Sequence, residues 1–206
     1  LFALEDALPI ALQSLISYSV NLTDTVMLGF LGETAISAAT LANQLFFIFT
    51  IACVGITGGA IVLSSQYWGQ GNLTAIRKIM SITLRIAVSA AVIFSAAALL
   101  FPAQVIGIYT NDQAVIAAGI DYLCIIAVSY VFYAVTHTLL TLLRSVETVR
   151  ISAWIHVLSF VTNVFFNYLF IFGKWGAPRL GIAGAAIGTV IARGVEIAVV
   201  LVYMLA

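Results

Sequence analysis

"TAISAATLANQLFFIFTIACVGITGGAIVLSSQYW", Thr34 to Trp68, contains no Asp, Glu, Lys or Arg. A hydrocarbon core about 30 Å thick is crossed by ~20 apolar residues at the helical rise. The stretch is therefore predicted to be a transmembrane helix with length to spare, tilted or protruding from the bilayer. Working outward, the same pattern recurs on both sides. Spans are predicted at about 7–31, 34–68, 75–101, 114–143, 152–172 and 182–206. Pro9 falls near a helix start, where proline is tolerated, and Pro102 ends the third span.

Turn chemistry separates the spans. Gly32-Glu33-Thr34 makes the first connection, Gly69-Gln70-Gly71-Asn72 the second and Thr110-Asn111-Asp112 the third. Residues 144–150 make the fourth without glycine or proline, and 173–181 make the fifth with Gly176 and Pro178.

Composition agrees. The chain is 63% hydrophobic and 8% charged, with mean hydropathy +1.17. A soluble domain needs roughly 25% charged residues to cover its surface, so the solvent of this chain is the lipid bilayer. Formal net charge is zero, which gives no electrostatic footprint for nucleic acid. Cys53 and Cys124 sit in apolar runs without metal-ligand spacing and read as reduced packing residues. The fold class is thus all-α, a polytopic membrane protein of about six spans. The first and last residues, Leu1 and Ala206, lack a methionine start and a polar flank, so a longer protein is expected. With no basic region and cleavage site ahead of it, the first apolar stretch reads as a span.

Lys and Arg set the expected orientation. Arg77, Lys78, Arg85, Arg144 and Arg150 flank the second and fourth connections, against Lys174 and Arg179 on the other side. That places both chain ends in the cytoplasm.

Polar residues inside the spans carry the functional information. On the first span Gln13, Ser17, Asn21 and Asp24 recur at intervals of 4, 4 and 3, one helix face. An ionised Asp at mid-membrane costs ~2.5–3.5 kcal/mol. Asp24 must therefore face a protein interior or a wet cavity, or carry a proton. It is suited to exchanging a proton or holding a cation.

The fifth span repeats the pattern with His156, Ser159, Asn163 and Asn167 at 3, 4 and 4. Its two amides can ligate a cation, bond a carboxylate, or glue helices together. The fourth span offers Tyr122, Ser129, Tyr133, His137 and Thr141, and the sixth Thr189. Gln44 of the second span is grouped with the same polar interior. The third span shows only scattered Ser and Thr and is expected to face lipid. Arg193 and Glu196, three apart, are expected to form a structural ion pair. Gly181, Gly184, Ala185 and Gly188 mark a tight helix contact. No zinc-protease, nucleophile-elbow or paired-acid pattern is present, so no enzyme is expected.

Several stretches resemble the MATE (multidrug and toxic compound extrusion) family. They are "NLTDTVMLGFLGETAISAATLANQ" (Asn21–Gln44), "SSQYWGQGNLTAIRK" (Ser64–Lys78), "LLRSVETVR" (Leu142–Arg150) and "NVFFNYLFIFGKWGAPRLGIAGAAIGTVIARGVE" (Asn163–Glu196). The resemblance implies one N-terminal lobe of a twelve-helix, two-lobe exporter. It implies cationic or amphipathic drugs as substrates, H⁺ or Na⁺ as coupling ion, no other cofactor, and a C-terminal lobe as partner. It implies a bacterial plasma-membrane location. The coupling set carried over is Asp24, Asn163, Asn167 and Thr189, which would also be the Na⁺ ligands. Gln13, Ser17, Asn21, Gln44, Tyr133 and His137 support it. Position 167 departs from members that carry Asp there, and Ser152 from members with proline. The alternative is a lipid-linked saccharide flippase of the same wider superfamily, which would line its cavity with several cationic residues.

Overall fold

The computed structural model describes the backbone of residues 2–146 and 150–205, and side chains from residue 15 onward except those of 17 and 150. Among the described residues the structure is entirely helical: α1 (Phe2–Gly29), α2 (Glu33–Gly69), α3 (Leu73–Leu100), α4 (Pro102–Gly107), α5 (Gln113–Ile126), α6 (Ser129–Ser145), α7 (Arg150–Phe172) and α8 (Ile182–Leu205).

Four of these helices, α2, α3, α7 and α8, are long and apolar enough to cross a membrane, and α5 with α6 makes a fifth span if taken together. Their outward faces are apolar, as lipid contact requires: Phe47, Ile51 and Val54 on α2, Ile86 and Ile93 on α3, and Trp154 and Val161 on α7 are all exposed.

Local chemistry sets the boundaries. The Asn72 side chain accepts a hydrogen bond from the Ala75 N–H at 3.1 Å and opens α3. Asp112 does the same for Ala114 at 2.9 Å and opens α5. Gly32, at φ 109°, makes the α1–α2 turn in a region closed to most L residues. Pro102 follows the end of α3 as expected, but it also opens the short helix α4, since its fixed φ suits a first helical position.

Two expectations need correction. The fourth span is not one helix. It breaks between α5 and α6 with a bend of 50°. Neither glycine nor proline lies at the break. Instead two hydroxyls take the local carbonyls: Ser129 Oγ donates to Ile126 O at 2.7 Å, and Ser95 Oγ, from α3, donates to Ala127 O. A side chain inserted at the hydrogen-bond ladder is a known cause of a kink.

The third helix is also only half lipid-facing. Thr83, Ala87, Ala91, Ser95 and Ala98 form a buried stripe of small residues, and this helix packs on α2 and α6.

The core between α2, α3 and α6 is aromatic. Phe49 stacks on Tyr130 (centroids 5.3 Å) and meets Phe94 at 5.4 Å. Phe46 meets Tyr133 edge-on at 5.0 Å.

The most extensive helix pair is α7 with α8. The tight contact expected at the start of the sixth span is realised. A Cβ on Gly184 would lie 2.7 Å from the Phe170 carbonyl, and one on Gly188 would lie 2.1 Å from Asn167 Oδ1. Only hydrogen at these two positions lets the backbones approach so closely.

Candidate ion and substrate site

The polar stripes of α1, α7 and α8 meet in one chain of hydrogen bonds. Asn167 Nδ2 donates to Asp24 Oδ1 at 2.6 Å and to Asn163 Oδ1 at 3.2 Å. Asn163 Nδ2 donates to Thr189 Oγ1 at 3.2 Å, and Thr189 donates to the Ala185 carbonyl at 3.1 Å. Asn163 and Asn167 are buried, while Asp24 is half-buried. The helical spacing of 4 on α7 puts both amides on the face toward α1 and α8. Both hydrogens of the Asn167 amide are used. Its Oδ1 is buried against Gly188 and has no hydrogen-bond partner.

The amide orientation shows what this arrangement accommodates. An N–H aimed at Asp24 Oδ1 suits an ionised carboxylate. If the Asn167 amide turned over, its oxygen would face Asp24 Oδ1 and Asn163 Oδ1. A proton on Asp24 would then bond the Asn167 oxygen alone, whereas a cation between the three oxygens would satisfy all of them. One carboxylate with two amide oxygens and a hydroxyl is a hard-oxygen set, suited to H⁺ or a monovalent cation. Among the described residues no group of three His, Cys, Asp or Glu side chains forms a metal site.

Beside this chain lies a cavity of about 360 Å³. Asn163 and Thr189 belong to its wall and link it to Asp24. Asn21 of α1 and Thr50 of α2 contribute further polar groups, while Val20 and Phe46 supply apolar surface. Tyr133, His137 and Arg144 enter from α6, His156 and Ser159 from α7, and Arg193 and Glu196 from α8.

Arg193 Nη1 donates to Glu196 Oε2 at 2.8 Å, the ion pair expected from their spacing. The Arg193 guanidinium lies 5.0 Å over the Tyr133 ring, and Tyr133 stacks on His137 at 5.2 Å. The Thr57 hydroxyl gives its proton to the Cys53 carbonyl at 2.9 Å. His137 Nε2 lies 3.4 Å from the same hydroxyl. His156 Nδ1 lies 2.7 Å from the Ser152 carbonyl and donates to it.

Of the residues expected from sequence, Asp24, Asn163, Asn167 and Thr189 come together, and Asn21, Tyr133, His137, Arg193 and Glu196 share the adjoining cavity. Gln44 is half-buried on α2 and does not line the cavity. Gln13 and Ser17 lie outside the residues whose side chains are described. Arg144 was read as a loop charge, yet it lines the cavity. The signal was its spacing of 7 from His137 and 11 from Tyr133, the same helical face.

Among the described residues the helical bundle thus borders a cavity with polar and charged walls, with a carboxylate bonded to buried amides at its edge. The sequence profile of the MatE family matches residues 9–169, and the chain belongs to that family. Two relatives, each described as "Probable multidrug resistance protein NorM", are similar along most of the chain. The Thermotoga maritima protein is 28% identical over 91% of this chain and 40% of its own length. The Synechocystis protein is 30% identical over 97% of this chain and 43% of its own length. A crystal structure of MATE in the straight conformation superposes with a TM-score of 0.88 at 16% identity, covering 98% of this chain and 44% of that one. The chain thus spans about two fifths of the length of the relatives it matches.

Proposed function

We propose that this chain is one lobe of a secondary antiporter that exports cationic or amphipathic organic compounds in exchange for H⁺ or Na⁺. Its six spans would be α1, α2, α3, α5 with α6, α7 and α8, joined to a second lobe in a bacterial plasma membrane with both ends cytoplasmic. The observation that carries this reading is the 2.6 Å bond from Asn167 to Asp24, at the head of a chain of amides that ends in the cavity wall.

The mechanism follows from charge and burial. Ionised Asp24 holds the Asn167 amide by its N–H. Neutralisation by a proton or a cation removes the reason for that orientation, and the amide turns its oxygen inward. Since both Asn167 hydrogens are committed, one to α1 and one within α7, the turn replaces the direct amide–carboxylate link between α1 and α7 with one that runs through the proton or cation. A ligand that binds one packing better than the other shifts the equilibrium between them.

The test is ion-driven efflux of an organic dye by the full-length protein carrying Asp24→Asn, in vesicles with separate H⁺ and Na⁺ gradients. Loss of gradient-driven efflux is expected, and normal efflux refutes the coupling role. The second reading is a lipid-linked saccharide flippase, favoured by the two arginines that face the cavity. It predicts that polyprenyl-phosphate sugars, rather than dyes, are moved.

A further inference from the structure

The cavity charges do not match a simple organic cation. Its one carboxylate, Glu196, is 2% exposed and already bonded to Arg193. The aromatic face best placed to receive a cation, that of Tyr133, already carries the Arg193 guanidinium. Arg144 is different. Its Nη2 donates to the neutral Thr141 hydroxyl at 3.2 Å, and it has no carboxylate partner among the described residues. Among the described wall residues two guanidinium groups stand against one carboxylate, the Asp24 carboxylate lying behind the amides of α7 and outside the wall.

From this geometry we infer that Arg144 binds an anionic group, a carboxylate or phosphate, of the molecule the cavity accepts. A guanidinium presents five N–H donors in a planar fork, and a neutral hydroxyl occupies only one of them here. The Phe46 ring, Ile16 and Val20 offer apolar surface to the remainder of the ligand. The preferred occupant is therefore an amphipathic molecule with an anionic end, either a zwitterionic aromatic compound or an anionic lipid headgroup. This narrows the substrate class of the proposed exporter and rests on reading the cavity as the substrate chamber.

Two dyes that differ by one methyl ester make the test. Rhodamine 110 carries a free carboxylate, and its ester rhodamine 123 is a cation with the same ring system. Binding to the purified full-length protein in phosphatidylcholine nanodiscs is read by fluorescence anisotropy. Wild type is expected to bind rhodamine 110 about tenfold more tightly than the ester. Arg144→Gln is expected to abolish that preference by weakening rhodamine 110 alone, and Arg144→Lys to retain part of it. An equal loss for both dyes, a preference that survives in Arg144→Gln, or no preference in wild type overturns the inference. Should Arg144→Gln fail to fold, Arg144→Lys decides, because an unchanged preference for rhodamine 110 also refutes a role for the guanidinium fork.

A second arm identifies the source of the anion. If phosphatidylglycerol in the nanodisc competes with rhodamine 110 and Arg144→Gln removes the competition, the occupant is a lipid phosphate and the anion site stands. Ion gradients play no part in these binding measurements. Failure of gradient-driven efflux with the dye preference intact would therefore refute the antiport reading alone.

Discussion

The closest contact in the site gives the sharpest prediction. A Cβ at position 188 would sit 2.1 Å from Asn167 Oδ1 and 3.0 Å from the Asn167 backbone nitrogen. Ordinary contact is roughly 3.5 Å between heavy atoms, so Gly188→Ala forces the Asn167 amide to move by more than an ångström or α8 to back away. Overpacking of this kind costs about 1–3 kcal/mol. Displacing the amide also disturbs its bond to Asp24, and a hydrogen bond to a charged group contributes about 1.5–3 kcal/mol. Gly188→Ala is therefore expected to destabilise the protein by about 2.5–6 kcal/mol and to impair gradient-driven efflux.

Truncating the amide removes the object of the clash. Asn167→Ala alone strands Asp24, but in the Asn167→Ala/Gly188→Ala double variant the new methyl loses its 2.1 Å clash with Oδ1 and its 3.1 Å approach to Cγ, keeping the 3.0 Å approach to the backbone nitrogen. The two substitutions should be non-additive by at least about 1 kcal/mol, the double variant being more stable than the sum of the singles predicts. The assay is the thermal transition of the purified full-length protein in one detergent, all four forms side by side, followed by efflux in vesicles. Additive losses would refute the view that the Asn167 side chain and the missing Cβ at 188 share one space.

Three further outcomes follow from the same contacts. Glu196→Gln leaves the Arg193 guanidinium without its carboxylate and is expected to cost about 3 kcal/mol, while Arg193→Met/Glu196→Met is expected to cost less than the single substitution; thermal transitions of both decide. Asp24→Asn, which abolishes coupling in the antiport reading, is expected to leave the thermal transition unchanged or raised. The lost charge-assisted bond, about 1.5–3 kcal/mol, is offset by a desolvation penalty of similar size, and a large drop in stability would mark Asp24 as a structural hub instead. Ser95→Ala removes the hydroxyl that holds the Ala127 carbonyl and is expected to cost about 1 kcal/mol, read as faster amide exchange confined to residues near 127.

The parts of the fold governed by local pattern were legible. Apolar run lengths located the helices, and the intervals of 3 and 4 put Asp24 on one face of α1 and both asparagines on one face of α7. Gly184 and Gly188 marked a tight helix contact for the same reason, since a missing side chain is visible in one dimension, although the partner, α7, is not. What the sequence could not show depends on partners far along the chain. The break after α5 needs Ser95, 32 residues away, to hold the Ala127 carbonyl. The buried stripe on α3 consists of small residues whose hydropathy does not separate them from a lipid-facing set. Arg144 misled because a basic residue at a helix end reads as an interfacial charge until the helix is known to face a cavity.

The divided fourth span separates two mechanical duties. No residue of α5 lines the cavity, whereas α6 delivers Tyr133, His137 and Arg144 to it. The upstream piece is wedged against α2 and α8, and the downstream piece, packed on α3, α2 and α8, holds the ligand-handling groups. Backbone bonds from the Ala127 N–H to Leu123 O and from the Tyr130 N–H to Ala127 O cross the joint, and two hydroxyls, one of them borrowed from α3, add to them. The groups that would handle a ligand thus sit on the longer, more polar piece, and the shorter, more apolar piece contributes nothing to the cavity wall.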